Sequence, residues 1–224
     1  MRSSWKLDEF NPLDNDIRKE LLSEKFTVIC TNSCTIALFN AKRHWPPISS
    51  NVNLLKGLLY QLDCAMSNDV AQKNGITLIY NMNDSKYDNF DYPLSQKLLD
   101  IFTGCYPARL VKVLIVGPPF WFRFNLWCLR ILLREKMRDR LFTVEQNELK
   151  NYLPIEHIPL CLGGSLQHNH LDWIRTCLSR SDHLSLLPED YFDSNPSSSK
   201  RSQFQFPVRI HFKISINCAN FVYR

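Results

Sequence analysis

Hydrophobic and polar positions along the chain follow two rhythms in turn. "KFTVIC" (25–30) and "TIALFNAK" (35–42) are short apolar runs joined by the polar "TNSC", and predict a β-hairpin. "NLLKGLLYQLDCAM" then sets Leu54, Leu55, Leu58, Leu62, Ala65 and Met66 at helical spacing. After Gly75, "ITLIYNM" is a continuous apolar run, the pattern of a strand buried on both faces, and "VKVLIVGPP" repeats it. Between these runs, "YPLSQKLLDIFTGCY" restores helical spacing through Leu94, Leu98, Ile101, Phe102 and Cys105, with Pro93 suited to a first turn and Gly104 to an end. "LFTVE" predicts another strand, and a last helix runs from about Leu171 to Leu178. Strands alternating with helices from residue 51 to 145 predict an α/β fold with a mostly parallel sheet.

One segment breaks the usual amphipathic pattern. In "PPFWFRFNLWCLRILLREKMRDR" (118–140), Phe122, Leu126, Leu129 and Leu133 form one stripe, yet Phe124, Trp127, Cys128, Ile131 and Leu132 cover most of the remaining surface. Arg123, Arg130 and Arg134 interrupt the run too often for a transmembrane helix, which needs about 20 mostly apolar residues. The predicted helix, over about 122–138, therefore requires an apolar partner on more than one side without crossing a bilayer.

Composition sharpens this picture. The 224 residues are 45% hydrophobic and 22% charged, which suits a soluble chain with one sizeable core. The opening residues lack a signal-peptide pattern, and the eight cysteines form no C-x-x-C pair, so a reducing cytosol is expected. Net charge is +5, but eight basic residues against two acids fall between Pro107 and Arg140, so that stretch alone carries +6. A charge run by itself reads as a solvated helix face. Aromatic and leucine residues beside the charges turn the reading towards an anionic membrane surface. No nucleic-acid partner is expected, because the aromatics sit in apolar runs rather than among the basic residues as a stacking platform would.

Catalytic motifs are missing or misplaced. The six glycines provide neither G-x-G-x-x-G nor a Walker A run, so no nucleotide cofactor is expected. His168, His170, Cys161 and Cys177 match no zinc spacing, so no metal is expected either. Cys128 to Arg134 and Cys218 to Arg224 have the C-x5-R spacing of a tyrosine phosphatase. That chemistry needs a loop whose backbone N–H groups cradle phosphate and lower the thiol pKa. "CLRILLR" has no glycine and lies within a leucine-rich helix, so it reads as a chance match, as does "CANFVYR".

"ITLIYNMNDSKYDNF", "YPARLVKVLIVGPPFWFR", "LLREKMRDRLFTV" and "YLPIEHIPLCLGG", in this order, resemble a CRAL-TRIO lipid-binding domain from about Lys25 to Leu178. The resemblance implies an apolar pocket between the sheet and a mobile gate helix, which corresponds to the segment after "GPP". It implies a floor of Val28, Leu38, Ile76, Leu78, Tyr80, Leu114 and Val116, and a cover of Phe120, Phe122, Leu126, Leu129 and Leu133. A cavity of at least several hundred Å³ is expected between them. Several phosphatidylinositol-binding members carry a lysine two residues before the Gly-Gly, where this chain has Cys161. Head-group or membrane contacts are therefore expected from Arg109, Arg134, Lys136, Arg138 and Arg140. Three parts are expected: 1–24, a remnant of the helical segment that precedes the lipid domain; 25–180, the lipid-binding domain; and 181–224, a polar linker and ill-defined tail.

These readings together imply a chain that binds, presents or exchanges one membrane lipid, with phosphoinositides or phosphatidylserine favoured by the basic stretch. It is expected to associate with anionic membranes, in the cytoplasm, at the periphery of endomembranes or vesicles. The tyrosine phosphatase domain that some members of the resembling family carry is expected to be absent from this chain, so no enzymatic activity is expected. The competing reading is a non-catalytic scaffold that docks on membranes or proteins.

Overall fold

In the computed structural model, residues 10–192 are described apart from 103–105, 107–108, 134, 182 and 189–190. Helix α1 (Asn15–Leu22) leads into strands β1 (Phe26–Cys30) and β2 (Thr35–Asn40). Helices α2 (Asn51–Met66) and α3 (Asp69–Asn74) connect to β3 (Ile76–Asn81), and α4 (Tyr92–Asp100) connects to β4 (Leu110–Val116). Helices α5 (Phe122–Leu132) and α6 (Glu135–Arg138) precede β5 (Leu141–Val144), and α7 (His170–Arg180) follows.

The five strands lie in sequential order. β1 and β2 form the antiparallel hairpin, and every later pairing is parallel. With strands added on one side in turn, right-handed crossovers place all connecting helices on the same face. The core residues follow this rule. Those of α1, α2, α4, α5 and α7 share one cluster with Val28, Phe39, Leu78, Val113 and Leu141. The opposite face, with Ile36, Leu38, Ile79, Leu114 and Val116, is covered by residues 146–162 wound into short 3-10 turns.

Side-chain caps fix where the helices start. Asp91 Oδ1 accepts the Leu94 N–H at 2.8 Å, and Asn169 Oδ1 accepts that of Leu171 at 3.0 Å. Pro93 occupies the first turn of α4, where its missing N–H costs nothing.

The described residues on either side of 24/25 and 180/181 share one core: Ile17, Leu21 and Leu22 pack with α2, and Tyr191 is buried with them. The Tyr191 hydroxyl donates to Pro12 O at 3.0 Å, and Arg18 Nε donates to Tyr191 O at 2.8 Å, tying the two ends together. The long helix expected over 122–138 is broken instead, because Leu133 takes extended backbone (φ −80°, ψ 140°) between α5 and α6. The tail predicted beyond Phe192 lies outside the described residues.

Candidate functional site

Pleating sorts the strand residues into rows. Val28, Ala37, Leu78, Val113 and Leu141 line up across the sheet, with Phe39, Tyr80 and Ile115 one row further along. Helices α4 and α5 lie over the β3–β5 part of these rows. Leu98 and Leu99 of α4 and Phe122 and Leu129 of α5 close over Leu78, Tyr80, Val113, Ile115 and Leu141. The space between them is about 40 Å³, far below the several hundred expected. Phe122 and Leu129 fill the volume themselves, since both are buried against the sheet. Tyr80 stacks on Phe39 at 5.1 Å with the rings nearly parallel, and burial pushes its phenol above the usual range.

α5 is bounded by two changes of backbone direction. Before it, Gly117 (φ +59°) leads into Pro118 and Pro119. A β-carbon there would collide with the side chain of Asn83. Asn83 is itself held by its Nδ2, which donates to Gln146 Oε1 at 2.9 Å. After the helix comes the extended Leu133. An aromatic group clamps the first turn: Phe90 meets Phe122 edge-on at 5.2 Å, and Tyr87 meets Trp121 at 5.4 Å. The stripe of Phe122, Leu126, Leu129 and Leu133 is buried, while Phe124, Trp127 and Ile131 stand exposed on the other side of the helix. The helix is thus apolar on two faces, one packed and one open.

The expected floor is divided by the sheet. Leu78 and Tyr80 line the space beneath α5. Ile76 and Val28 are buried in the same cluster, Ile76 at the start of β3 and Val28 on the edge strand β1, outside the lining of that space. Leu38, Leu114 and Val116 belong to the opposite face and cannot contribute. Their neighbours Val113 and Ile115 hold those places, because one residue of shift in a strand reverses the face. Phe120 is 82% exposed, ahead of the helix, and is no part of the cover.

The basic residues gather at the amino ends of β4 and β5. Arg140 Nη1 donates to Leu110 O at 2.7 Å, which joins the two strand starts and gives Arg140 a structural task. Arg109, Lys136 and Arg138 are exposed nearby in the chain, whereas Arg134 lies outside the described residues. Residues missed in the sequence include Ser95, Leu99, Val113, Ile115 and Leu141 of the apolar space. The helical spacing did mark Leu98 as core, without indicating which strand it would cover.

Catalytic alternatives find no geometry among the described residues. Cys128 sits in the middle of α5, where neighbouring backbone N–H groups belong to the helix ladder and cannot cradle phosphate. Cys218 is outside the described residues. His168 Nε2 is 2.8 Å from Thr27 Oγ1, and His170 Nε2 bonds to Leu21 O at 2.6 Å, so both pin the approach to α7 against the rest of the domain. Among the described residues, no group of three or more His, Cys, Asp or Glu side chains could hold a metal ion. No helix there is long and apolar enough to cross a membrane. Gly163 and Gly164 form a turn rather than a reactive loop, with Gly164 pressed onto the backbone of Ile158. A groove of about 1390 Å³ with a mixed polar and apolar lining runs from the carboxyl ends of the strands to the edge of β1, past Asn83, Gln146, His168, Arg180, Leu38 and Trp173 among others.

Comparison with known proteins points to one family. The family model described as "CRAL/TRIO domain" matches residues 31–164, more than half of the chain. The mouse protein "Tyrosine-protein phosphatase non-receptor type 9" is 39% identical over 168 residues, covering 74% of this chain and 28% of that protein. The human "Alpha-tocopherol transfer protein-like" is 24% identical over 176 residues, covering 73% of this chain and 50% of that one. A solved structure, "Crystal structure of Sfh5", superposes with a TM-score of 0.50 at 16% identity, covering 65% of this chain and 57% of that chain. The chain therefore spans under a third of the phosphatase relative and half of the transfer-protein relative.

Proposed function

The chain belongs to the CRAL/TRIO domain family of lipid-binding and lipid-transfer proteins, and from that premise we propose that it takes up a single membrane lipid between its sheet and α5. The observation that carries this reading is the double apolar character of α5. Phe122, Leu126, Leu129 and Leu133 face the sheet, and Phe124, Trp127 and Ile131 face outward. A helix that only closes a core has no use for the second face. A gate that swings from sheet to bilayer uses both. Gly117 on one side and Leu133 on the other are backbone positions about which such a swing could occur.

In this reading the exposed aromatics enter the headgroup region of a membrane, where such rings gain from burial. Arg109, Lys136 and Arg138 favour an anionic surface, and acidic lipids such as phosphoinositides or phosphatidylserine are the favoured ligands. The acyl chains would replace Phe122 and Leu129 above Leu78 and Val113. Burying roughly 20–30 CH₂ groups at about 0.8 kcal/mol each holds such a ligand without covalent chemistry, so the chain acts as a binder rather than an enzyme. Its expected place is the cytoplasmic face of endomembranes or vesicles.

The small cavity favours a second reading. A domain whose interior is already filled by its own side chains serves as a membrane-docking scaffold with no carried lipid. Liposome flotation separates the two contributions. Lys136→Glu with Arg138→Glu should weaken flotation on phosphatidylserine vesicles by several kcal/mol, in the manner of raised salt. Leu78→Trp should leave flotation largely intact while abolishing transfer of a fluorescent lipid between vesicles. A wild-type protein that floats but transfers nothing supports the scaffold.

A further inference from the structure

The two edges of the sheet are finished differently. At β1, Gln61 Nε2 donates to Phe26 O at 3.2 Å, and His168 lies against Thr27. At β5 two bonds set the direction of the backbone. The Val113 N–H donates to Arg140 O at 2.8 Å, and the Gly117 N–H donates to Val144 O at 3.0 Å. Arg140, Phe142 and Val144 therefore turn their peptide groups towards β4, while Leu141, Thr143 and Glu145 turn theirs outward. Two side chains stand in for a missing strand: Arg130 Nη2 donates to Leu141 O, and Glu148 Oε2 accepts the Glu145 N–H, both at 3.3 Å. Thr143, exposed between them, has neither backbone group bonded among the described residues. A groove of about 440 Å³ separates this edge from α5. Arg130 stands at its Leu141 end. Glu145 and Glu148 stand at the other end, where Arg123 in the first turn of α5 offsets only one of the two acids. Among the described residues, none of these four forms an ion pair.

We propose that a second copy of this chain docks on this edge, adding its own β5 antiparallel about a two-fold axis at Thr143. The two Thr143 residues then exchange both N–H···O bonds, and each Leu141 does the same with the partner's Glu145. These ladder bonds replace the long ones made by Arg130 and Glu148. Because the released side chains belong to opposite ends of β5, antiparallel pairing brings Arg130 of each copy to the partner's Glu145 and Glu148. Parallel pairing would set like charges side by side. A two-fold interface requires such a self-complementary patch. Edges are commonly blunted by charge, but here both signs are present in the order that a two-fold axis satisfies. Trp127 is exposed and lines the same groove, so the joint also covers an aromatic side chain of each copy, as interface cores do. The contact uses the edge strand and not the space beneath α5, so the proposal goes beyond the lipid reading and does not depend on it.

Analytical ultracentrifugation of the whole chain over a concentration series, at low and high salt, tests this. The expected result is a mass that rises from monomer to dimer with concentration, with the midpoint moved to higher concentration by salt, which screens the outer charges. Thr143→Pro removes the N–H at the centre of the joint. In the lone chain that N–H faces outward, so the ladder to β4 is kept. This variant should show the wild-type circular dichroism and remain monomeric. Arg130→Glu, and separately Glu145→Arg with Glu148→Arg, should each weaken self-association at least tenfold. An equimolar mixture of these two variants should dimerise again, because opposite charges then meet across the joint. A wild-type chain that stays monomeric up to about 1 mM, the weak end of useful affinity, would overturn the proposal. So would a Thr143→Pro chain that dimerises like the wild type, or a mixture of the charge variants that stays monomeric.

Discussion

The Asn83 side chain occupies the space that a β-carbon on Gly117 would need, just where β4 hands over to the segment carrying α5. Gly117→Ala therefore meets two penalties. Left-handed backbone costs a non-glycine residue roughly 1–2 kcal/mol, and displacing Asn83 adds to it. Asn83→Ala alone should cost about 1 kcal/mol, through the lost bond to Gln146. In urea denaturation the double variant should be less destabilised than the sum, because the collision is removed while the backbone strain remains. Strict additivity would mean that the contact carries no energy.

The exposed face of α5 should matter little to folding and much to membrane binding. Phe124→Ala with Trp127→Ala should leave the unfolding free energy within about 0.5 kcal/mol per site, as expected for surface positions. Partition onto vesicles should fall about tenfold or more, since each side chain loses part of the roughly 1.5–3 kcal/mol available from burial of a large apolar group. Unchanged partition would confine membrane contact to another surface.

Arg138 and Arg140 are two residues apart in sequence but should respond differently. Arg138 is exposed, so Arg138→Glu should reduce anionic-vesicle binding with almost no change in stability. Arg140 donates to Leu110 O, and Arg140→Glu should also destabilise the domain, by about 1.5–3 kcal/mol for a lost charged hydrogen bond. Equal melting temperatures for the two variants would show that the Arg140 bond is not a fold contact.

Acid should loosen the join between the approach to α7 and the rest of the domain. Burial, helped by the charge of His170, pushes His168 down to about 4, and His170 and His44 are lowered too, first by burial. For a base whose folded pKa is depressed, stability is complete above the unfolded value of about 6.5 and is lost as pH falls towards the folded value. His168 should contribute part of the loss between pH 6.5 and 4, and His168→Gln should flatten that part of the profile. Denaturation at several pH values reads it directly.

How far the sequence could reveal this site depended on which contrasts it contained. The stripe at 122, 126, 129 and 133 was legible from its helical spacing, and each of the four is buried, although Phe124, Trp127 and Ile131 make the opposite side of α5 apolar too. The strand "LVKVLIV" was legible as a strand but not by face. Leu114 and Val116 were as apolar as Val113 and Ile115, so period 2 left no phase to read. The break at Leu133 has no glycine or proline to announce it. The closeness of Tyr191 to Pro12 depends on residues 179 apart, beyond any local pattern.

Native mass spectrometry of the purified chain, compared with Leu78→Trp, tests the central claim most directly. Uptake of a lipid beneath α5 predicts one added lipid mass per chain in the wild type, released as an identifiable phospholipid on denaturation and absent from Leu78→Trp at equal folding. A wild-type chain that carries no lipid after exposure to mixed phospholipid vesicles, or a Leu78→Trp chain that carries it equally well, would contradict the account.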